Sequence, residues 1–276
     1  MKEENDRMLG AIAGDIIGSI YEHNNITSED FPLFGPSCTF TDDTVMTLAV
    51  ADCIMHLGDF AEYLRAYGRR YPDVGYGGLF LKWINFDDAP AYGSWGNGSA
   101  MRVSPAAYVG RNVKEVRLLA GRTASVSHNH PDAVNGAKAV ATAIWLANHE
   151  VGPEEIRDDI SKRYDYDLSR EVDTLRSVSK SDVSCRGTVQ SSLICALNTT
   201  TFEDAIRNAI SIGGASDTLA CITGSIAAAL HGIPRDIAEK TMSYLTDDLI
   251  QVAINFRKRF PLPQEGAASC YNIVSL

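Results

Sequence analysis

Thr41-Asp42-Asp43-Thr44 sets two adjacent carboxylates between two hydroxyls, directly ahead of an apolar run in which Val45, Leu48, Ala49 and Cys53 recur at helical spacing. The pattern predicts a helix over 41–57 with Thr41 as N-cap and both acids in its first turn. Acids there complement the positive end of the helix dipole by about 0.3–1 kcal/mol each. That accounts comfortably for one Asp. The same oxygens also suit a hard divalent cation (Mg²⁺, Mn²⁺ or Ca²⁺), which takes carboxylates and hydroxyls in preference to thiolates or imidazoles. A second acid–hydroxyl pair, Asp217-Thr218, opens another small-residue helix behind Gly213-Gly214 and strengthens the metal reading.

Other polar residues offer further chemistry. Glu22, in the polar loop Glu22-His23-Asn24-Asn25 ahead of Thr41, can add a ligand or ride on a lid, and is otherwise an ordinary exposed Glu. Gly96-Asn97-Gly98-Ser99 has glycines that permit positive φ and bare backbone N–H groups suited to a phosphate or sugar. Taken alone, those glycines are better explained by a tight turn before a helix starting near Ser99. Arg102 is free to pair with an acid or a phosphate. Ser127-His128-Asn129-His130-Pro131-Asp132 marks a helix end and a Pro-led restart. Its two histidines lack a recognisable third zinc ligand, so a hydrogen-bonding or acid–base His, or a plain loop His, fits better. Asp15 reads as a solvated or capping acid rather than a site residue.

The elements that must position these groups are helices. Residues 7–21 carry Gly10, Gly14 and Gly18 at every fourth place, which indicates close packing of a helix too short and too polar to span a membrane. Helical periodicity continues over 60–71, 113–126, 132–148, 153–165, 168–177, 187–197, 202–212 and 215–230, with one or two helices in 234–260. The region from Tyr76 to Arg102 is rich in Gly and aromatics. Strand alternation is scarce, and there is no fixed-period repeat or long linker. The expectation is therefore all-α, a compact orthogonal multi-helix fold, with residues 1–276 as one domain.

The 276 residues are 45% hydrophobic and 22% charged, with net charge −10. This composition supports a sizeable core and argues against a general nucleic-acid or anionic-membrane surface. The six cysteines show no CxxC pair, and neither a signal-peptide core nor a membrane span is evident. A reduced, cytoplasmic protein is expected.

In order along the chain, Gly14-Asp15 with Gly18 and Glu22, Thr41-Asp42-Asp43-Thr44, Gly96-Asn97-Gly98-Ser99-Ala100-Met101-Arg102, Ser127-His128, Asn135-Gly136 and Gly213-Gly214-Ala215-Ser216-Asp217-Thr218 resemble the ADP-ribosylglycohydrolase family, of the dinitrogenase-reductase-activating type. The resemblance implies an all-α fold with a binuclear Mg²⁺ or Mn²⁺ centre, ligated by Thr41, Asp42, Asp43, Asp217 and Thr218. It implies catalytic roles for Glu22, Asp42, Asp43 and Asp217. Gly96, Asn97, Gly98, Ser99, Met101, His128, Gly213, Gly214 and Ser216 would contact ADP-ribose. The expected partners are ADP-ribose or an ADP-ribosylated protein or small molecule, with arginine linkage as the default.

One position departs from the family pattern. Ala215 stands where an Asp ligand is usual, whether as a natural variant or an introduced change, and implies weaker metal binding and slower turnover. A non-hydrolysing ADP-ribose or nucleotide-binding module is the alternative. A purely structural helical protein would leave the Gly-Asn-Gly loop without a purpose.

Overall fold

Most of the apolar periodicities in the sequence become helices. In the computed structural model, which describes residues 7–178 and 182–262, α1 (Leu9–Gly18) runs into a short 3₁₀ turn at Ser19–Tyr21. There follow α2 (Asp42–His56), α3 (Phe60–Arg70), α4 (Gly78–Asn85), α5 (Gly98–Met101) and a 3₁₀ segment at Ser104–Tyr108. Next come α6 (Val113–Ser125), α7 (Pro131–Asn148), α8 (Pro153–Tyr164), α9 (Val172–Val178), α10 (Cys185–Leu197) and α11 (Phe202–Ser211). The last three are α12 (Ser216–His231), α13 (Arg235–Met242) and α14 (Asp247–Arg259). Among the described residues there is no strand, only an isolated bridge between Gly96 and Ser184. The all-α expectation holds.

The helix starts follow local capping chemistry. Thr41 Oγ1 accepts from the Asp43 N–H at 3.3 Å, and Asn112 accepts from Lys114 and Glu115 to open α6. His130, considered above as half of a histidine pair, accepts the Asp132 N–H through Nδ1 and caps α7 ahead of Pro131. Ser184 accepts from Gly187 N–H at 3.0 Å, so α10 begins two residues before the expected Gly187.

Two further boundaries differ. The helix expected from Leu168 begins only at Val172, because the Asp167 carboxylate accepts the Ser169 N–H and hydroxyl and holds that stretch in a turn. The region from Tyr76 to Trp95 contains a helix that the sequence reading omits. In α4, Phe80, Trp83 and Ile84 are buried at i, i+3 and i+4, while Leu79, Leu81 and Phe86 remain exposed and blur that period.

The centre of the fold is the pairing of α1 with α12. A Cβ at Gly14 would lie 1.9 Å from the Ala220 carbonyl oxygen, and one at Gly10 would lie 2.4 Å from that of Gly224. At Gly18 it would meet the Ser216 oxygen at 2.5 Å. The glycine stripe is therefore what brings the two backbones together, and with them Asp15 and the start of α12. One apolar cluster extends from Leu9 on α1 to Phe256 on α14, with α2, α7 and α10 contributing to it. No described helix is long and apolar enough to cross a membrane.

Candidate metal centre and adjoining cleft

Asp15 is fully buried, contrary to the expectation of a solvated acid. Its Oδ2 accepts from the Thr41 N–H at 2.9 Å and the Thr44 N–H at 3.1 Å, and both threonine hydroxyls also donate to the carboxylate. The α1 carboxylate thus caps the first turn of α2 from outside that helix. This capping role was the other half of the sequence reading, but its partners lie 26 and 29 residues away. Gly14 and Gly18 on either side let α1 come close enough to α12 for the same acid to stand beside Asp217.

Asp15, Asp43 and Asp217 each offer a carboxylate oxygen within 4.8 Å of the others. Asp43 and Asp217 are buried, while Thr41 and Asp42 are half-buried. The Thr218 hydroxyl donates to Asp43 Oδ2 at 3.2 Å, and the Thr218 N–H donates to Asp217 Oδ1 at 2.8 Å, so the two acid-bearing helix starts are joined. Burial, then the charges of Asp217 and Asp15, push Asp42 and Asp43 well above the usual carboxylate range. Burial, then Asp15 and Glu22, push Asp217 up to about 7.

This donor set fits a hard divalent cation. Asp43 Oδ1 is buried without a hydrogen-bond partner, and leaving such an atom unsatisfied costs about 1–3 kcal/mol. The leading charges acting on the cluster are all negative, so a cation offsets both the repulsion and the orphaned oxygen. Asp15 already accepts four hydrogen bonds from Thr41 and Thr44. Its chemistry is that of a group that holds the start of α2, leaving Asp43 and Asp217 with the oxygens to offer.

The rim of the cluster is built by loops. Glu22 is exposed beyond the 3₁₀ turn that ends α1, and its charge reaches Asp42 and Asp217. Asn25, which the sequence reading treats only as part of a polar loop, ties this segment down. Its amide donates to the carbonyls of Tyr21 at 2.7 Å and Gly214 at 3.0 Å, and its Oδ1 accepts from the Gly214 N–H at 2.9 Å. Gly213 and Gly214 have φ of 75° and 89°, a double left-handed turn that suits glycine and releases the chain into α12. Ser216 is buried, with its hydroxyl 3.4 Å from the Tyr21 and Gly214 carbonyls.

Ala215, the N-cap residue of α12, makes no side-chain cap, unlike Thr41 at the start of α2. Over Asp42 lies a loop whose Val74 carbonyl accepts the Asp42 N–H at 2.8 Å, followed by Gly75 at φ 101°. Tyr76 in this loop has a buried, unpartnered hydroxyl, and burial and the Asp42 charge push it up.

The Gly96–Met101 segment lies beside this cluster, with α5 packed on α2 and α12. Its glycines do not adopt positive φ, unlike the expectation; Gly93, three residues earlier, does, with φ of 70°. Gly98 is needed for space, since a Cβ there would lie 2.9 Å from His128 Nε2. The Asn97 N–H donates to the Val183 carbonyl, which fixes the segment against the start of α10. Ser99 is fully buried and donates to the Ala133 carbonyl at 2.9 Å. Met101 is buried, and its carbonyl accepts from the Thr47 hydroxyl at 3.3 Å and the Cys221 thiol at 3.5 Å. These two residues therefore form a buried support that spans α2, α7 and α12.

His128 is 5% exposed and lies between Phe80 and Tyr92, at ring distances of 5.9 and 5.8 Å. Burial, then the Arg102 charge, hold its imidazole well below the usual histidine range. Arg102 has no carboxylate among its hydrogen-bond partners; it is fully buried and binds the Thr123 carbonyl and the Ser127 hydroxyl.

An all-helical scaffold thus brings hydroxyl-flanked carboxylates together at two abutting helix starts. The chain belongs to the ADP-ribosylglycohydrolase family, whose model matches residues 6–266. By class it is an ADP-ribosyl glycohydrolase. ADP-ribosylarginine hydrolase Tri1 of Pseudomonas putida is 27% identical over 262 residues, covering 82% of this chain and 70% of that protein. ADP-ribosylhydrolase ARH3 of Mus musculus is 25% identical over 307 residues, covering 82% of this chain and 83% of that protein. A solved structure described as an ADP-ribosylglycohydrolase-related protein complex matches with TM-score 0.71 and 21% identity, over 94% of this chain and 99% of that one. That similarity supports the fold.

Proposed function

We propose that this chain is a metal-dependent hydrolase that removes ADP-ribose from an ADP-ribosylated acceptor, arginine-linked by default, with turnover reduced by Ala215. The observation that carries the reading is the buried, negatively charged cluster of Asp43 and Asp217, one of whose oxygens has no partner. The family membership and the similarity to a protein named ADP-ribosylarginine hydrolase support the substrate class. We read residues 1–276 as one domain on the strength of the continuous apolar cluster from α1 to α14. A cytoplasmic location belongs to the same reading.

Thr41, Asp42, Asp43, Asp217 and Thr218 would hold Mg²⁺ or Mn²⁺, two ions in the full family pattern. Bound there, divalent cations would supply positive charge that orients the ribose 2″- and 3″-hydroxyls and acidifies a water for attack at the anomeric carbon. The chain's own groups do the rest. Asp42, half-buried and in reach of solvent, accepts the proton of the attacking water as the bond from the anomeric carbon to the acceptor breaks, and that proton passes to the departing acceptor. Exposed Glu22 closes the mouth over the ribose. Gly96–Gly98, Gly213-Gly214 and His128 line the approach for the diphosphate and ribose. Ser99, Met101 and Ser216 support those walls from beneath. Burial around Asp43 and Asp217 excludes bulk water, which strengthens each charge interaction in the cleft.

A second reading is favoured by one observation. Ala215 offers no side-chain oxygen at the start of α12, so a chain that binds ADP-ribose without cleaving it fits the same geometry. Release of ADP-ribose from arginine- and serine-linked substrates, in Mg²⁺ or Mn²⁺ and then in EDTA, tests both. The hydrolase predicts release that EDTA abolishes. Tight ADP-ribose binding without release at any metal concentration selects the binding module.

A further inference from the structure

Arg102 presents an unusual problem of satisfaction. It is fully buried directly after the short helix α5, no carboxylate bonds it, and its Nε and one Nη have no hydrogen-bond partner. Its guanidinium carbon lies 5.6 Å from the Phe80 ring centroid, so part of the charge rests on an aromatic face. Desolvation of such a group is costly, and burial lowers its pKa to about 10, still leaving it charged at neutral pH. What the remaining nitrogen does is therefore informative. Nη2 donates to the Thr123 carbonyl and to Ser127 Oγ, both at 2.9 Å, and Ser127 Oγ lies 2.8 Å from His128 Nδ1.

The direction of the hydrogen atoms follows from donor capacity and burial together. A guanidinium has donors only, so Ser127 Oγ must accept from it. Ser127 is fully buried, and His128 Nδ1 is the one other hydrogen-bond neighbour of its Oγ among the described residues. The hydroxyl hydrogen is therefore satisfied only when it points to Nδ1; an Nδ1–H donated to the second lone pair would strand it. An Nδ1 that accepts cannot carry a proton, so the ring proton resides on Nε2, the nitrogen that faces Gly98 at a distance only glycine permits. The His128 backbone is pinned as well, its N–H donating to the Ala124 carbonyl at 2.8 Å.

We propose that Arg102, acting through Ser127, is a positioning residue that fixes the His128 imidazole as an Nε2–H donor toward the Gly96–Gly98 wall of the cleft. In this arrangement His128 is a neutral hydrogen-bond donor to an oxygen of the bound ligand, a ribose hydroxyl or a phosphate oxygen, and takes no part in removing a proton. The choice of ligand rests on the ADP-ribose reading above. The tautomer and its cause do not.

The test uses the full chain labelled with ¹⁵N-histidine, its Ser127→Ala and Ser127→Thr variants, and free ADP-ribose as the probe. Imidazole ¹⁵N shifts separate protonated from unprotonated ring nitrogens, and binding is measured in parallel. The expected result is an unprotonated Nδ1 and a protonated Nε2 at His128 in the parent. This pattern should be lost in Ser127→Ala with about tenfold weaker ADP-ribose binding, and restored with binding in Ser127→Thr. A proton on Nδ1 in the parent overturns the proposal, as does an unchanged tautomer in Ser127→Ala. A tautomer lost without any change in affinity overturns the assignment of His128 as the ligand's donor. If the parent binds no ADP-ribose at all, the functional reading fails while the spectra still decide the relay.

Discussion

The carboxylate of Asp15 on α1 holds Thr44 on α2 by both its backbone N–H and its hydroxyl, while doing the same for Thr41 one turn earlier. This relationship sets where Asp42 and Asp43 stand, since both lie between the two threonines. Asp15→Asn keeps the volume but replaces one acceptor oxygen with an amine that faces donors. The expected cost is about 1–3 kcal/mol of stability for the unsatisfied groups. Divalent-metal affinity should also fall about 10–100-fold through misplacement of the α2 acids. Thermal unfolding and Mn²⁺ titration of the variant check the two effects separately. Unchanged metal affinity in a folded Asp15→Asn protein would remove Asp15 from the site.

The contact of α1 with α12 makes a steric prediction. Gly14→Ala places a methyl group where the Ala220 carbonyl oxygen now lies 1.9 Å away, so one helix must move. A loss of about 1–3 kcal/mol is expected, as for overpacked cores, together with weaker metal binding because Asp15 and Asp217 separate. Gly35→Ala, where a Cβ meets nothing within 4 Å, should be neutral or slightly stabilising. Denaturant melts of the two variants side by side decide the matter.

The acid cluster also fixes how stability responds to pH. The folded chain holds the Asp217 proton up to about 7, above the ordinary 3.8, first because of burial and then because of Asp15 and Glu22. A raised carboxylate pKa means that the folded state binds the proton more tightly than the unfolded one. The associated stability is present below about pH 4 and is lost as pH climbs toward about 7. Without metal, the contribution of Asp217 should therefore fall between those limits, and Asp42 and Asp43, raised for the same reasons, act in the same direction. Mg²⁺ or Mn²⁺ should restore it by favouring the ionised acids. Melting temperatures of the chain and of Asp217→Asn, in EDTA and in excess metal, at about pH 5 and about pH 8, isolate that contribution. A pH dependence identical in the two proteins would contradict it.

Much of this was legible in residue types. Thr41-Asp42-Asp43 announces an N-cap and a first turn because capping is local, and the glycine stripe on α1 announces a close neighbour. What stayed hidden depends on partners distant in the chain. Asp15 looks like a lone acid in an apolar helix until Thr41 and Thr44 fold onto it. Asn25 is one more polar loop residue until it meets Gly214 on the far side of the chain. Arg102 suggests an acid or phosphate partner by its charge, yet tertiary packing gives it a carbonyl, a hydroxyl and an aromatic face. Gly98 suggests backbone freedom by its type, yet it matters for the room it leaves His128. Helix α4 was hidden because exposed leucines at 79 and 81 fill in the gaps between its buried positions.

The central claim is that the two acid-bearing helix starts form a divalent-metal site that drives release of ADP-ribose and that Ala215 weakens it. It is tested most directly by ADP-ribose release from an ADP-ribosyl-arginine substrate in Mg²⁺ or Mn²⁺, for this chain and its Ala215→Asp variant together. Restoring the missing carboxylate should raise metal affinity about tenfold or more and raise turnover with it, and EDTA should abolish release by either protein. Equal rates in the two proteins, or release that persists in EDTA, would contradict the account.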